Sequence, residues 1–322
     1  MEMVLAFVLL LVGFVLLVKG ADVFVDGSSG IAKFLKIPSI VIGLTIVAFG
    51  TSAPEAAVSI IAGVNGSNDI AVGNVIGSNM FNLLGVLGIS ALISPVRVDG
   101  QIVKKEFPFM LAATAVFALA AFDTALGSGE SNIISRSEAF ILLILMGIFL
   151  YSVITFALRS RKESGASDDD NDKPKSLLKC VLFTVGGLAG IIIGGQLVVD
   201  NASKIAQQFG MSETLVGLTI VAVGTSLPEL VTSIVAARKG ESDIAIGNVV
   251  GSNVFNILFV LAASAAITPM NINGQGLCDL LILMGVSVMA YIFCVTKKTV
   301  NRVEGGVLVA MYAGYMAFAI MR

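Results

Sequence analysis

Histidine and tryptophan are absent from this chain of 322 residues, and charged residues make up only 13 % of it. Without histidine the chain lacks the side chain that exchanges protons near neutral pH and the commonest ligand of zinc. Soluble domains contain about 25 % charged residues, so this chain has too little charge to cover a water-soluble surface of its size. The shortage of charge predicts an integral membrane protein that contacts the lipid bilayer.

Other absences exclude further classes of protein. The formal net charge is −2, so no overall positive field exists to attract nucleic acid. The three cysteines, Cys180, Cys278 and Cys294, lie far apart without a CxxC motif, which argues against a disulfide framework or a thiolate metal site. The sequence has neither a P-loop nor a GxSxG motif. We therefore expect neither an enzyme nor a protein with a bound cofactor.

Long apolar runs are what the chain has instead, and the mean hydropathy is +0.95. A helix that crosses the apolar core of a bilayer needs about 20 mostly apolar residues. The first such run covers 3–18 and continues beyond Gly20 if the helix is tilted. The runs together predict an all-α membrane protein with ten transmembrane helices, at 3–18, 38–64, 70–94, 106–123, 138–158, 177–199, 212–238, 244–268, 279–296 and 305–321.

The distribution of Lys and Arg supports ten helices and predicts their orientation. Ten spans place both termini on one face of the membrane. That face receives only Arg136, Lys204 and Arg322, so 17 of the 20 basic residues lie on the other face. Basic residues gather on the cytoplasmic side. The pattern predicts a protein of the cell membrane with both termini outside and the 159–176 linker in the cytoplasm.

This linker is the longest polar stretch and contains the acidic run Asp168, Asp169, Asp170 and Asp172. Its aspartates lack the spacing and the glycine of an EF-hand calcium loop, so we interpret it as a solvated tether. It separates a first five-helix unit at 1–158 from a second at 177–322.

The two units contain an internal repeat. Residues 43–95 align without gaps with 217–269 at a constant offset of 174, and more than half of the aligned positions are identical. Because five spans is an odd number, the second copy enters the membrane from the opposite face. Inverted repeats of this kind are characteristic of secondary transporters, in which two equivalent halves permit alternating access. Some channels also contain inverted repeats, so a passive cation channel stays open as a distant alternative.

Each repeat interrupts a transmembrane helix with the same polar motif, GTSAPE at 50–55 and GTSLPE at 224–229. Proline removes a backbone donor and glycine loosens the chain, so we expect a broken helix at both places. Glu55 and Glu229 lie in these breaks, and they are the two carboxylates that we place deep in the membrane. We place Asp22, Asp26, Asp123 and Asp200 near helix ends or in loops. A charge at the bilayer centre costs about 2.5–3.5 kcal/mol or more, so a paired placement predicts a functional site.

Further oxygen atoms surround the two glutamates. Ser78 and Asn82 are four residues apart in GNVIGSNMFN, on one face of a helix, and Ser252 and Asn256 repeat this spacing in GNVVGSNVFN. The remaining candidate ligands are hydroxyls beside the breaks, at Thr51, Ser52, Thr225 and Ser226. Carboxylate, hydroxyl and amide oxygens suit calcium, sodium or manganese and do not suit zinc or copper. The alternatives are a protonated structural Glu pair and interhelical hydrogen bonds by the Ser and Asn side chains. We treat Asn74, Asn79, Asn248 and Asn253 as packing or supporting residues.

At these motifs the chain resembles the sodium/calcium exchanger family of the calcium/cation antiporter superfamily, in a prokaryotic-type form. The resemblance extends over nearly the whole chain and implies a secondary antiporter that exchanges Ca²⁺ for Na⁺. It implies main-chain ligands from Ala48 and Ala222, as well as from Thr51 and Thr225. The side-chain ligands that it implies are the two glutamates and the eight candidates beside them, Glu55, Glu229, Thr51, Ser52, Thr225, Ser226, Ser78, Ser252, Asn82 and Asn256. It also implies that the first and sixth spans slide as a gate against a more rigid core.

One departure leaves the coupling ion open. Some family members carry Asp at one of the two positions that Asn82 and Asn256 occupy here, so this chain has two site carboxylates in place of three. Proton-coupled transport of Ca²⁺ or Mn²⁺ through Glu55 and Glu229 therefore remains the alternative. Potassium co-transport is expected to require more acidic residues. A monomer is the expected functional unit.

Overall fold

The computed structural model describes residues 2–127, 131–164, 176–211, 220 and 222–321, and most of these residues are helical. In the first half, helices α1 to α9 cover Glu2–Leu35, Ser39–Ile42, Ala48–Thr51, Ala53–Val64, Asn68–Met80, Leu87–Ile93, Phe107–Ala121, Asp123–Leu126 and Arg136–Ser164. In the second half, helices α10 to α16 cover Leu177–Gln208, Ala222–Thr225, Leu227–Arg238, Ser242–Phe255, Ala262–Ile267, Gly274–Lys297 and Arg302–Met321. π-helical segments join several of these helices, at Gly43–Val47, Phe81–Val86, Ile102–Glu106 and Asn256–Leu261.

The helices are long and apolar enough to span a bilayer. Within the described residues, seven helices pass this test, and the bent pair Ser39–Thr51 and Ala53–Val64 forms an eighth candidate. Two of the ten predicted spans are not among these eight. The 106–123 span corresponds to α7, which is 15 residues long and follows the charged segment Ile102–Glu106. The 212–238 span begins in residues outside the described ones.

Two helices of the first half, α1 and α9, extend beyond the apolar runs that predicted them. Helix α1 continues to Leu35 and has 34 residues, which corresponds to about 51 Å. That length exceeds a hydrocarbon core of about 30 Å, so the expected continuation of the first span beyond Gly20 is confirmed. At the other side, residues 159–164 of the predicted linker continue helix α9. Residues 165–175 of the linker, with its acidic run, lie outside the described residues.

Helices α1 and α10 pack along each other through glycines spaced seven residues apart. A Cβ atom on Gly13 would lie 3.0 Å from the Gly194 carbonyl oxygen, and one on Gly20 would lie 2.9 Å from the Gly187 carbonyl oxygen. Gly13 and Gly20 precede Gly187 and Gly194 by the same repeat offset. Small residues at such positions let two helical backbones touch.

Four short strands connect the two halves. The strands are β1 at Val96–Arg97, β2 at Ile133–Ile134, β3 at Met270–Asn271 and β4 at Thr299–Val300. Strand β1 pairs antiparallel with β4, in register Val96 with Val300, and β2 pairs antiparallel with β3, in register Ile134 with Met270. Because β1 and β3 occupy equivalent positions in the repeat, each half contributes the same two strands to two exchanged pairs.

The placement of three acidic residues near helix ends or in loops is wrong. Asp22 and Asp26 lie inside α1, and Asp200 lies inside α10, eight residues before its end. Glu106 is a third buried carboxylate besides Glu55 and Glu229, with 1 % of its surface exposed. The Gln101 side chain donates a hydrogen bond to Glu106 Oε1 at 2.9 Å, which satisfies it locally at the start of α7.

Candidate functional site

The two GTSxPE motifs form breaks of the same geometry. The helix axis bends by 50° between Ser39–Thr51 and α4. Ser52 precedes α4 with φ −83° and ψ 8°, and Ser226 precedes α12 with φ −94° and ψ 9°. Pro54 and Pro228 then lie in the first turn, where no backbone N–H is needed. The predicted breaks are confirmed at both serines, although most residues just before the second break lie outside the described ones.

Each break places a glutamate in the first turn of the following helix. Glu55 lies in the first turn of α4 and Glu229 in the first turn of α12, and each is 1 % exposed. The positive end of a helix dipole stabilises a carboxylate at this position. The breaks therefore bring two carboxylates into the protein interior. Each helix dipole offsets part of the free-energy cost of burying its carboxylate.

Serines cross between the halves to reach these carboxylates. Ser52 Oγ donates to Glu229 Oε1 at 2.8 Å, and Ser226 Oγ donates to Glu55 Oε1 at 2.8 Å. The two bonds are equivalent under the repeat offset. Ser78 Oγ on helix α5 lies 3.3 Å from Ser226 Oγ, so α5 also contributes a hydroxyl near the Ser226–Glu55 bond.

Asparagines form a second reciprocal set of contacts. Asn82 Nδ2 donates to Asn253 Oδ1 at 3.2 Å, and Asn256 Nδ2 donates to Asn79 Oδ1 at 3.1 Å. These bonds use the amide nitrogens of Asn82 and Asn256 and leave their carbonyl oxygens available. The assignment of Asn79 and Asn253 as supporting residues agrees with this arrangement.

Contacts with one another and with Asn248 bring together three further predicted ligands, Thr51, Ser252 and Ala48. Thr51 Oγ1 donates to the Val47 carbonyl oxygen and also lies 3.1 Å from Asn248 Oδ1. Ser252 Oγ lies 3.5 Å from the Ala48 carbonyl oxygen, so the predicted main-chain ligand Ala48 is beside a predicted side-chain ligand. Thr225 and Ala222 lie in α11, which directly precedes the second break.

Four buried oxygen atoms of this set have no hydrogen-bond partner. They are Glu55 Oε2, Glu229 Oε2, Asn82 Oδ1 and Asn256 Oδ1. They form two pairs of equivalent atoms under the repeat offset. Leaving a buried polar group unsatisfied costs about 1–3 kcal/mol, and more for a charged group. Among the described residues no three His, Cys, Asp or Glu side chains form a metal-binding group, so a cation here depends on two carboxylates and neutral oxygens.

Asn74 and Asn248, predicted as packing or supporting residues, hold the glutamate backbone together with Ser59 and Ser233, which sequence reasoning did not find. Asn74 Nδ2 donates to the Glu55 carbonyl oxygen at 3.2 Å and to Ser59 Oγ at 2.9 Å. Asn248 Nδ2 makes the equivalent bonds to the Glu229 carbonyl oxygen at 3.3 Å and to Ser233 Oγ at 2.9 Å. Ser59 and Ser233 follow the glutamates by four residues in both repeats, and that spacing is a signal that could have found them. Thr232 Oγ1 is also buried without a hydrogen-bond partner. The equivalent residue of the first repeat is Val58, so this hydroxyl has no counterpart there.

Comparison with protein families gives one match over most of the chain. The family model described as sodium/calcium exchanger protein matches residues 5–155 and 179–321. The two matched segments leave out the region that contains the polar linker.

Individual relatives match over nearly their full length. The inner membrane protein YrbG of Escherichia coli is 36 % identical over 325 residues, which cover 99 % of this chain and 97 % of the relative. The sodium/calcium exchanger MaX1 of Methanosarcina acetivorans is 33 % identical over 339 residues, which cover 96 % of this chain and 97 % of the relative. A solved structure of the sodium-calcium exchanger NCX_Mj, soaked with Na⁺ and no Ca²⁺, superposes with a TM-score of 0.84 at 32 % identity, over 99 % of this chain and 100 % of that one.

Proposed function

This chain belongs to the sodium/calcium exchanger protein family, and on that premise we propose that it is a secondary antiporter that exchanges Ca²⁺ for Na⁺. The proposal places both ions between the two GTSxPE breaks. It assigns no chemical reaction to the protein and no resident cofactor. The transported ions are the ligands.

The observation that carries the proposal is the set of four unpartnered oxygens on Glu55, Glu229, Asn82 and Asn256. Each of these residues already uses its other polar atom in a bond across the repeat interface. Two carboxylate and two amide oxygens that are buried and left free suit a hard cation that has lost its water shell. A single Ca²⁺ is neutralised by the two carboxylates.

The same oxygens explain exchange. Sodium also prefers hard oxygen ligands, and the neutral atoms at Thr51, Ser78, Ser252 and the Ala48 carbonyl extend the set around the carboxylates. Because both ions require Glu55 and Glu229, the site favours one kind of occupant at a time. An antiporter requires such competition, since one ion must leave before the other is carried back.

We further propose that ten transmembrane helices form two inverted repeats, at 1–158 and 177–322, and that the site opens alternately to each face. The exchanged strand pairs β1–β4 and β2–β3 support this arrangement, as do the reciprocal Ser–Glu and Asn–Asn bonds. The Lys and Arg distribution supports extracellular termini and a cytoplasmic linker in the cell membrane. We expect the monomer to be the unit that transports.

Radiolabelled calcium uptake into reconstituted liposomes tests the function. Vesicles loaded with Na⁺ and diluted into Na⁺-free buffer should accumulate Ca²⁺, and vesicles with equal Na⁺ on both sides should not. A pH gradient at constant Na⁺ should have no effect. Uptake that follows the pH gradient and ignores Na⁺ would favour proton coupling instead. Uptake with no counter-ion at all would identify a passive channel.

A further inference from the structure

An ion-pair cluster outside the ion site joins α1 to the end of α12. Lys239 follows the last residue of α12, and its Nζ lies 2.8 Å from Asp22 Oδ1 and 2.7 Å from Asp26 Oδ1. The same ammonium donates to the Asp22 carbonyl oxygen at 2.8 Å. Asp22 and Asp26 are four residues apart, so both carboxylates lie on the same face of α1. One lysine thus uses three donors to hold one helix.

A second contact lies one turn further along α1. Ser29 Oγ donates to Glu241 Oε1 at 2.5 Å, and Glu241 is two residues after Lys239. Helix α1 also packs closely along α12, whereas α10 has hardly any contact with α4, which is the equivalent helix of the other half. The second half of α1 is therefore held by charges, by a hydrogen bond and by packing.

Lys239 stays charged in this cluster. Burial lowers the pKa of Lys239, the hydrogen bonds to Asp22 and Asp26 raise it, and the net direction is upward. The positive charge needed for the contact is therefore present throughout the physiological pH range.

The equivalent positions at the opposite end lack these groups. Under the repeat offset, Lys239 corresponds to Asn65 and Glu241 to Ser67, while Asp22 corresponds to Gln196. Asp26 has a counterpart in Asp200, which accepts a hydrogen bond from Gln196. The counterpart of Ser29 is Ser203, whose Oγ is buried without a hydrogen-bond partner. The end of α10 is thus not tied to α4 as α1 is tied to α12.

We propose that Lys239 and Glu241 form a latch that keeps the cytoplasmic side of the ion site closed, and that alternating access requires the latch to release α1. The proposal rests on the proposed antiport function and on the Lys and Arg count, which assigns this end to the cytoplasm. The absence of an equivalent latch among the described residues near α10 leaves the external side free to open first.

Distances between spin labels test the latch without any transport measurement. Cysteines that carry the labels replace two exposed residues, Lys33 on α1 and Arg238 on α12. The three native cysteines of this variant are replaced by alanine. In lipid nanodiscs, Lys239→Gln should increase the fraction of long distances about threefold, as expected for the loss of partly exposed ion pairs. Lys239→Arg should restore the original distribution, and Lys162→Gln, at an exposed position at the end of α9, should leave it unchanged.

A transplanted latch tests the converse. Asn65→Lys combined with Gln196→Asp recreates the charge cluster beside Asp200, and labels at Val64 and Gln207 occupy positions equivalent to those at the first latch. The distance between these labels should shorten in the double variant. If Lys239→Gln does not fold, Asp26→Asn replaces it in the first experiment.

Unchanged distances in both folded variants would overturn the latch. Because label distances do not depend on transport, they are read separately from Na⁺-driven Ca²⁺ uptake. Normal uptake with unchanged distances would refute the latch alone. Shifted distances together with absent uptake in the parent protein would refute the antiport function and retain the latch as a structural contact.

Discussion

Ser52 and Ser226 each occupy one oxygen of a glutamate from the opposite half of the chain. The second oxygen of each carboxylate then faces the interior without a partner. Every such bond links the two repeats, so a change in the relation between the halves would also change the geometry of the proposed ion ligands. This links the proposed ion site to the proposed alternating opening.

Replacing either site glutamate by glutamine removes a negative charge and keeps the shape of the side chain. Glu55→Gln and Glu229→Gln should each reduce Na⁺-driven Ca²⁺ uptake to the background of empty liposomes, because a single carboxylate does not neutralise a divalent cation in a buried site. Both proteins should elute as the wild type does on size exclusion. Glu106→Gln provides the control, since this buried carboxylate lies outside the site. Normal exchange in either site variant would refute the assignment.

The Asn248 side chain positions Glu229 by donating a hydrogen bond to the Glu229 carbonyl oxygen. Asn248 is not one of the predicted ligands. Residues that orient a metal ligand typically contribute about 10–100-fold to metal affinity. We expect Asn248→Ala to weaken Ca²⁺ affinity by about that factor in an equilibrium binding assay. Asn201→Ala removes another buried asparagine, which donates to the Leu197 carbonyl oxygen within α10, and this variant should bind Ca²⁺ as the wild type does. Equal affinities of the two variants would contradict the role given to Asn248.

Residue-level prediction worked where the repeat supplied two copies of the signal. The motifs containing Glu55 and Glu229 are nearly identical, so their joint placement could be predicted from one sequence. The Lys239 cluster joins the two halves at only one of the two repeat-related places, and its residues are more than 200 positions apart. Asp22 and Asp26 therefore looked like the polar end of a short helix, because nothing in the local sequence shows that Lys239 compensates them.

At the scale of elements, the contact between α1 and α10 depends on backbone proximity. A Cβ atom on Gly187 would lie 2.5 Å from the backbone nitrogen of Phe24, whereas a Cβ atom on Gly186 would meet no atom within 4 Å. The two neighbouring glycines therefore differ only in what they face. Close contact of this kind brings the two backbones together without interlocking side chains between them.

The same pair of glycines gives a matched experiment. Gly187→Ala should destabilise the protein by about 1–3 kcal/mol, since backbone atoms must move apart, and should lower the melting temperature in detergent. Gly186→Ala should keep or slightly raise that temperature, because alanine favours a helix by about 1 kcal/mol over glycine. Equal melting temperatures for the two variants would show that the helices do not touch at Gly187.

Helix breaks were more predictable than helix ends. Proline and glycine change the backbone locally, so the motifs at Pro54 and Pro228 determine the breaks whatever surrounds them. The ends of α1 and α9 depend on contacts with other parts of the fold. Asp22 and Asp26, which we expected near a helix end, are accommodated inside α1 by a lysine from the other half.

At the scale of the whole molecule, the proposed inverted arrangement predicts which segments face each side of the membrane. A cysteine at Ser167 should react with a membrane-impermeant maleimide in inside-out vesicles and stay unmodified in intact cells. A cysteine at Lys204, an exposed position near the end of α10, should show the opposite behaviour, because six predicted spans separate it from the N-terminus. Both belong in a background without the exposed native Cys278. Labelling of both positions from the same side would contradict the odd number of spans in each repeat.

Binding of radiolabelled Ca²⁺ to the purified protein tests most directly that one oxygen site serves both ions. The account predicts that Na⁺ displaces bound Ca²⁺ completely and with a sigmoidal dependence on Na⁺ concentration, because more than one monovalent ion replaces a divalent one. Glu229→Gln should abolish the Na⁺-sensitive binding. Ca²⁺ that stays bound at saturating Na⁺, or that binds equally well to Glu229→Gln, would contradict a shared site at Glu55 and Glu229.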